Sequence, residues 1–226
     1  MTVVLKVGGA STAGVADAVA KLRAAGHPVC VVHGAGPQIS EEMERRGLEI
    51  EFVRGRRVTT PEALEVVRES LAAVNAAVCS AIGPDAVSLD GDGIGLLATQ
   101  VRELGLVGTA LPSSAPAVSA ALAAGHVPVV TPIAASAETG EALNVNADET
   151  AAALAVGIGA AKLLFLTDVP GVFHEGELLA SIQVDRAEQL IGDGTFEGGI
   201  VPKLLAAVHA AKSGLTAEIG ATAVVA

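Results

Sequence analysis

The 226-residue sequence predicts an α/β fold: a three-layer α/β/α sandwich with a mainly parallel central sheet and β-hairpin insertions. Two observations carry this expectation. The runs VVLKV (3–7), VCVV (29–32) and KLLFLT (162–167) are apolar almost throughout, as strands are when helices cover both faces of a sheet. Each run ends in a glycine-bearing turn, and two strand–loop–helix units fit within the first fifty residues.

The elements follow in order. Residues 15–25 read as a helix stopped by Gly26 and Pro28, and residues 38–46 as a second stopped by Gly47. Between them lies the strand 29–32 and the tight turn His33-Gly34-Ala35-Gly36-Pro37. Across 48–60, LEIEF alternates polar and apolar residues and Gly55 offers the turn of an antiparallel hairpin. Thr60 and Pro61 supply an N-cap and a first helical position for a helix reaching about Ala81, ended by Gly83-Pro84. AVSL (86–89) is a short strand, and the glycine-rich stretch 90–111 is a second hairpin system built from LLATQV and LGLVGT. A helix over 113–124, a strand over 127–131 and a loop at 138–141 lead to a helix over 147–158. After the strand 162–167, residues 186–191 make one or two helical turns, 200–212 a helix, and TAEI and TAVV two closing strands. With no low-complexity linker or internal repeat, residues 1–226 are expected to form one domain.

Composition excludes several functions. There are 14 basic against 25 acidic residues, a net charge of −11, so no nucleic-acid partner is expected. Trp and Tyr are absent, which leaves few stacking platforms. The hydrophobic fraction of 51% is rich in alanine, and the longest apolar run, 151–161, is about half a bilayer span, so no membrane partner is expected. The chain opens directly on a strand without a basic, apolar leader, which predicts a cytoplasmic location. Cys30 and Cys79 lack ligand spacing and are expected as buried free thiols; no protein metal site is expected.

Chemistry concentrates at three turns after strands: Lys6-Val7-Gly8-Gly9, His33-Gly34-Ala35-Gly36 and Asp168-Val169-Pro170-Gly171. Parallel strands bring such turns to one sheet edge, where glycine lets the backbone approach an anion and helix N-termini attract it. The bland alternative is a set of tight connections, and neither GxxxxGK[ST] nor GxGxxG occurs there. Lys6 ends an apolar strand and Lys203 sits at a helix start, the unfavourable end for a cation. Each is either a cleft lysine facing an anion or a snorkelled surface group. Asp148 and Asp168 are either partners for those lysines or caps. Arg56 and Arg57 either clamp a carboxylate with a planar guanidinium or remain solvated. His33 is either an anion donor or a packed structural residue.

The segments LKVGG (5–9), VVHGAGPQI (31–39), GRRVT (55–59), LNVNADETAA (143–152), LLFLTDVPGV (163–172) and GGIVPK (198–203) occur in one order across nearly the whole chain. In this the sequence resembles the amino acid kinase family, and within it the branch acting on N-acetyl-L-glutamate in arginine biosynthesis. The resemblance implies transfer of the γ-phosphoryl group of ATP, with Mg²⁺, to the γ-carboxylate of that small amino-acid substrate. It implies Lys6 and Lys203 on the transferring phosphoryl group, with Asp148 holding them in position. Gly8 and Gly9 would face the phosphates, Thr167 and Asp168 the nucleotide side. Gly34, Ala35, Gly36, Arg57 and Asn144 would hold the acceptor substrate. Mg²⁺ would be carried by phosphates and water. The resemblance also implies an amino-acid lobe over 1–140, a nucleotide lobe over 141–226 and a homodimer.

Two departures stand out. Ala35 replaces the family's usual central glycine, so the turn requires a negative φ there. A helix and connecting segment usual before the final GATAVVA are reduced almost to nothing, and no helical extension precedes the first strand, which favours an arginine-insensitive form. The alternatives are a kinase for an aminoadipate derivative in lysine biosynthesis and a non-catalytic sensor on the same fold.

Overall fold

A computed structural model describes residues 1–8, 14–167 and 169–226. Gly9 and Asp168 lie outside the described residues.

The first half contains β1 (Val3–Val7), α1 (Val15–Ala24), β2 (Val29–His33), α2 (Gly36–Arg45), β3 (Phe52–Val53), β4 (Arg56–Arg57), α3 (Pro61–Ile82) and β5 (Ala86–Leu89). Next come β6 (Leu97–Gln100), β7 (Val107–Leu111), α4 (Pro116–Ala123), β8 (Val127–Val130), β9 (Ile133–Ser136), β10 (Ala142–Val145) and α5 (Ala147–Gly157). The remainder is β11 (Lys162–Leu166), β12 (Phe173–His174), β13 (Glu177–Leu178), β14 (Ser181–Gln183), α6 (Val184–Gly192), α7 (Ile200–Lys212), β15 (Thr216–Ile219) and β16 (Thr222–Val225).

Eight strands form the central sheet in the order β14-β16-β15-β11-β1-β2-β8-β5. Its pairs are parallel except β15 with β16. Side-chain alternation divides two cores across the sheet. Val4, Cys30 and Val32 pack with α4, α5, α6 and α7, whereas Leu5, Val29 and Val31 pack with α1, α2 and α3. The three-layer expectation therefore holds. The same alternation puts Lys6 on the face of Val4, toward α5 and α7.

Those two helices meet through alanines, Ala151, Ala152 and Ala155 on one and Ala206, Ala207, Ala210 and Ala211 on the other, all buried in one core. Small side chains allow close approach, which brings the first turns of α5 and α7 together beside the end of β1. At the far end of α5 the backbone is equally tight: a Cβ on Gly157 would meet the Ser113 carbonyl oxygen at 2.1 Å.

The hairpin expected within 90–111 is present as antiparallel β6 and β7, Leu97 facing Leu111. It does not stand alone, because β9 and β10 close it into a four-stranded barrel. Helix α4 starts at Pro116, later than residue 113, because the Ser113 hydroxyl donates to Leu111 O and accepts from Leu97 N. Cys30 is buried, Cys79 half-buried, and both are free thiols. Among the described residues, no helix is long and apolar enough to cross a membrane.

Candidate active site

Because β1 is flanked in register by β2 and β11, Val7 lies beside both His33 and Leu166, and three strand ends share one edge. At that edge opens a cavity of about 580 Å³. Its lining includes Lys6, Gly8, Gly34, Ala35, Gly36, Arg57, Asn144, Asp148 and Lys203, residues drawn from every part of the chain. Thr167 follows β11 on the same edge but does not line this cavity.

Lys6 and Lys203 converge on one carboxylate. Lys6 Nζ lies 2.8 Å from Asp148 Oδ1, and Lys203 Nζ lies 3.5 Å from Asp148 Oδ2. Asp148 is placed by the start of α5, where Asn146 Oδ1 caps the helix by accepting from the Asp148 and Glu149 amides at 2.8 and 3.3 Å. Lys6 is only 5% exposed. Burial lowers its pKa from the ordinary lysine value, Asp148 opposes that by favouring the charged form, and Lys203 adds to the lowering by repulsion. Two cations share one anion, so the cluster carries excess positive charge.

Arg57 is 7% exposed and turned inward from β4. Its guanidinium donates to Ser40 Oγ at 2.8 Å and Gly36 O at 3.3 Å, and lies 4.6 Å from the centre of the Phe52 ring. Among the described residues no carboxylate comes within ion-pair distance of it, and burial lowers its pKa. A buried guanidinium without a protein anion suits an incoming carboxylate. Asn144, on β10 between β7 and β9, donates to Thr59 Oγ1 at 3.1 Å. At the opposite wall Ala35 has φ −146°, so the alanine fits the turn, and α2 begins at Gly36. The N-termini of α2 and α5 thus both border the cavity, adding partial positive charge.

His33 takes the packed role. It is fully buried, its Nδ1 meets Gly34 O at 3.3 Å and its Nε2 meets the Asn75 amide at 3.1 Å, with its pKa lowered by burial. Asn75 Nδ2 also donates to Val129 O, so His33 Nε2 accepts and the ring is neutral. Sequence reasoning missed Ser40, which orients Arg57, and Asn146, which positions Asp148. The N-x-D pattern before a helix was the available signal for Asn146. Asp148 is the one carboxylate lining the cavity among the described residues, where no three His, Cys, Asp or Glu side chains gather as metal ligands.

The amino acid kinase family profile matches residues 1–220. An acetylglutamate kinase from Chloroflexus aurantiacus is 37% identical over 204 residues, covering 86% of this chain and 80% of that one. An acetylglutamate kinase from Geobacillus stearothermophilus is 36% identical over 225 residues, covering 95% and 87%. The solved structure of smu.665 from Streptococcus mutans UA159 superposes with a TM-score of 0.88 at 25% identity, covering 99% and 98%. A profile spanning nearly every residue that builds this cavity, together with relatives alike over most of their length, leads to one conclusion: the chain belongs to the amino acid kinase family, among the acetylglutamate kinases.

Proposed function

We propose that the protein transfers the γ-phosphoryl group of ATP to the γ-carboxylate of N-acetyl-L-glutamate, giving ADP and N-acetyl-L-glutamyl 5-phosphate, a step of arginine biosynthesis. The observation that carries this reading is the pair of lysines held by Asp148 inside a cavity that also presents Arg57. The acceptor carboxylate is already ionised at neutral pH. A carboxylate oxygen bonds to the γ-phosphorus as the bond to the bridging oxygen of ADP breaks, and no proton has to move. What opposes the reaction is the approach of one anion to another. Fixed positive charge and alignment are therefore the catalytic means, each removed donor being worth about 10²–10³ in rate.

In this reading Lys6 and Lys203 neutralise the transferring phosphoryl group. Asp148 acts as their holder and not as a base, since each of its oxygens faces a lysine. Arg57 and Asn144 take the α-carboxylate, while Gly34, Ala35 and Gly36 border the acceptor. Gly8 would face the phosphates and Thr167 the nucleotide side; the same roles for Gly9 and Asp168 rest on the family resemblance of the sequence alone. Mg²⁺ would be held by the nucleotide's phosphates and water and would supply shielding of phosphate charge, which fits a cavity whose one carboxylate among the described residues is occupied by lysines. Residues 1–140 serve as the amino-acid lobe and 141–226 as the nucleotide lobe, in a cytoplasmic homodimer.

ADP release measured with N-acetylglutamate, glutamate, N-acetylaminoadipate, carbamate, aspartate and UMP tests the assignment. Turnover is expected with N-acetylglutamate. Turnover with UMP alone would overturn the substrate class, and preference for N-acetylaminoadipate would move the enzyme to the lysine branch.

A further inference from the structure

We propose that the ion pair between Arg56 and Glu149 anchors the β3–β4 hairpin so that Arg57 is presented to the acceptor, which makes both members positioning residues. The inference rests on the reading of the cavity as the acylated amino-acid site.

The hairpin's backbone is tied to the fold at one end, where Thr59, two residues past β4, exchanges hydrogen bonds with Leu104 and Leu106. Among the described residues, β3 and β4 are two residues each and pair only with one another, Phe52 with Arg57 and Val53 with Arg56. Isolated two-stranded hairpins are marginal in water. Burial contributes little on the outer strand, where Phe52 is 54% exposed. The turn itself carries Arg54 at φ 50° and Gly55 at φ 78°. Two positive φ values suit a two-residue hairpin turn, but Arg54 occupies a left-handed conformation that side chains disfavour, which takes back part of that support.

The rest of the anchorage comes from the two arginines of β4, which alternate to opposite sides. Arg57 reaches α2 through Ser40 and Gly36. Arg56 reaches the other way, donating to Thr109 Oγ1 of β7 at 2.9 Å and to Glu149 Oε1 of α5 at 2.7 Å. The Arg56 and Glu149 side chains are 25% and 26% exposed, so water screens them less than a surface pair. Glu149 is itself held by the Asn146 cap, and Asn146 and Arg56 both line the substrate cavity and a neighbouring one of about 1080 Å³.

Each member is the sequence neighbour of a residue assigned to the reaction, Arg56 of Arg57 and Glu149 of Asp148. The pair thus ties the element that would bind the acceptor to the start of α5.

Glu149→Gln keeps the shape and removes the charge. It is expected to raise KM for N-acetylglutamate about tenfold, the size of one lost charged hydrogen bond, with kcat and KM for ATP little changed. Arg56→Leu should do the same, the double variant should be no worse than either single one, and Arg56→Lys should recover part of the effect. Amide hydrogen exchange across residues 52–58 should accelerate in Glu149→Gln without substrate present. Unchanged KM and unchanged exchange in Glu149→Gln would overturn the proposal. So would a raised KM in Arg56→Leu alone, because Arg56 would then touch substrate directly. If the wild type fails to turn over N-acetylglutamate, the substrate assignment falls, and the exchange comparison alone upholds or overturns the anchor.

Discussion

Replacing Asp148 by Asn removes the one charge that keeps two ammonium groups together while preserving side-chain shape. With an effective dielectric constant of about 20, the carboxylate attracts Lys6 at 2.8 Å by about 6 kcal/mol and Lys203 at 3.5 Å by about 5 kcal/mol, before desolvation is subtracted. Breaking a buried pair by removing one partner costs about 3–5 kcal/mol of stability when the survivor stays charged. Lys6 has another outlet. Burial already holds its pKa below 10.5, and the variant removes the largest opposing influence, so the amino group releases its proton at lower pH. Phosphoryl transfer then loses a fixed cation, and kcat at neutral pH should fall about 10²–10³-fold.

The pH dependence gives the sign. Activity needs protonated Lys6 and is lost as pH rises through its folded pKa, so the alkaline limb should move toward acid in Asp148→Asn and acidification should recover part of the rate. Stability runs oppositely. Where the folded pKa lies below the unfolded one, the unfolded chain binds more protons between the two values, and stability rises with pH across that window. The window should widen toward acid in the variant. Single-turnover rates and thermal melts across pH check both trends. An intact kcat with an unmoved alkaline limb would refute the holding role of Asp148.

In single-turnover measurements, Lys203→Ala should slow phosphorylation by about 10²–10³-fold with a much smaller change in nucleotide affinity, since Lys203 is partly solvated; an unchanged rate removes its assigned role. Arg57→Ala should raise KM for the acceptor by about 10- to 100-fold and leave KM for ATP nearly constant, as read from paired substrate titrations. Asn146→Ala deletes the acceptor for two amides of α5 and should cost about 0.5–2 kcal/mol, seen as a lowered melting temperature with kcat reduced alongside it.

Much of this arrangement was legible because the relevant signals are local. Apolar runs ended by glycine marked β1, β2 and β11, and parallel register then required their turns to share an edge. Lys6 stood out because a lone ammonium in an apolar strand needs a partner, and Asp148 is that partner. Non-local closure was not legible. The barrel depends on parallel pairing of Leu97 with Ala135 and of Asn144 with Val107, between short segments whose own patterns specify no neighbour. The β12–β13 hairpin and β14 were missed because two or three residues carry too little periodicity. Arg56 and Arg57 looked equivalent in GRRVT. The family resemblance singled out Arg57, but only placement in a strand, with alternating sides, shows that Arg57 reaches α2 while Arg56, also at the cavity, pairs with Glu149 of α5.

A chain with net charge −11 can recruit polyanions only if its few cations are concentrated where the anions react. Among the described residues, the cavity does this with four buried or half-buried cations, Lys6, Arg56, Arg57 and Lys203, against one lining carboxylate, and with two helix N-termini at its rim. Without Asp148, the two ammonium groups would repel and Lys6 would tend toward neutrality before any substrate arrived. With it, both charges are retained and aimed, though part of their field is cancelled. Substrate phosphates then restore the balance by supplying the missing negative charge. The carboxylate therefore works by keeping the positive charge assembled in advance, so that little reorganisation is left for the moment of transfer.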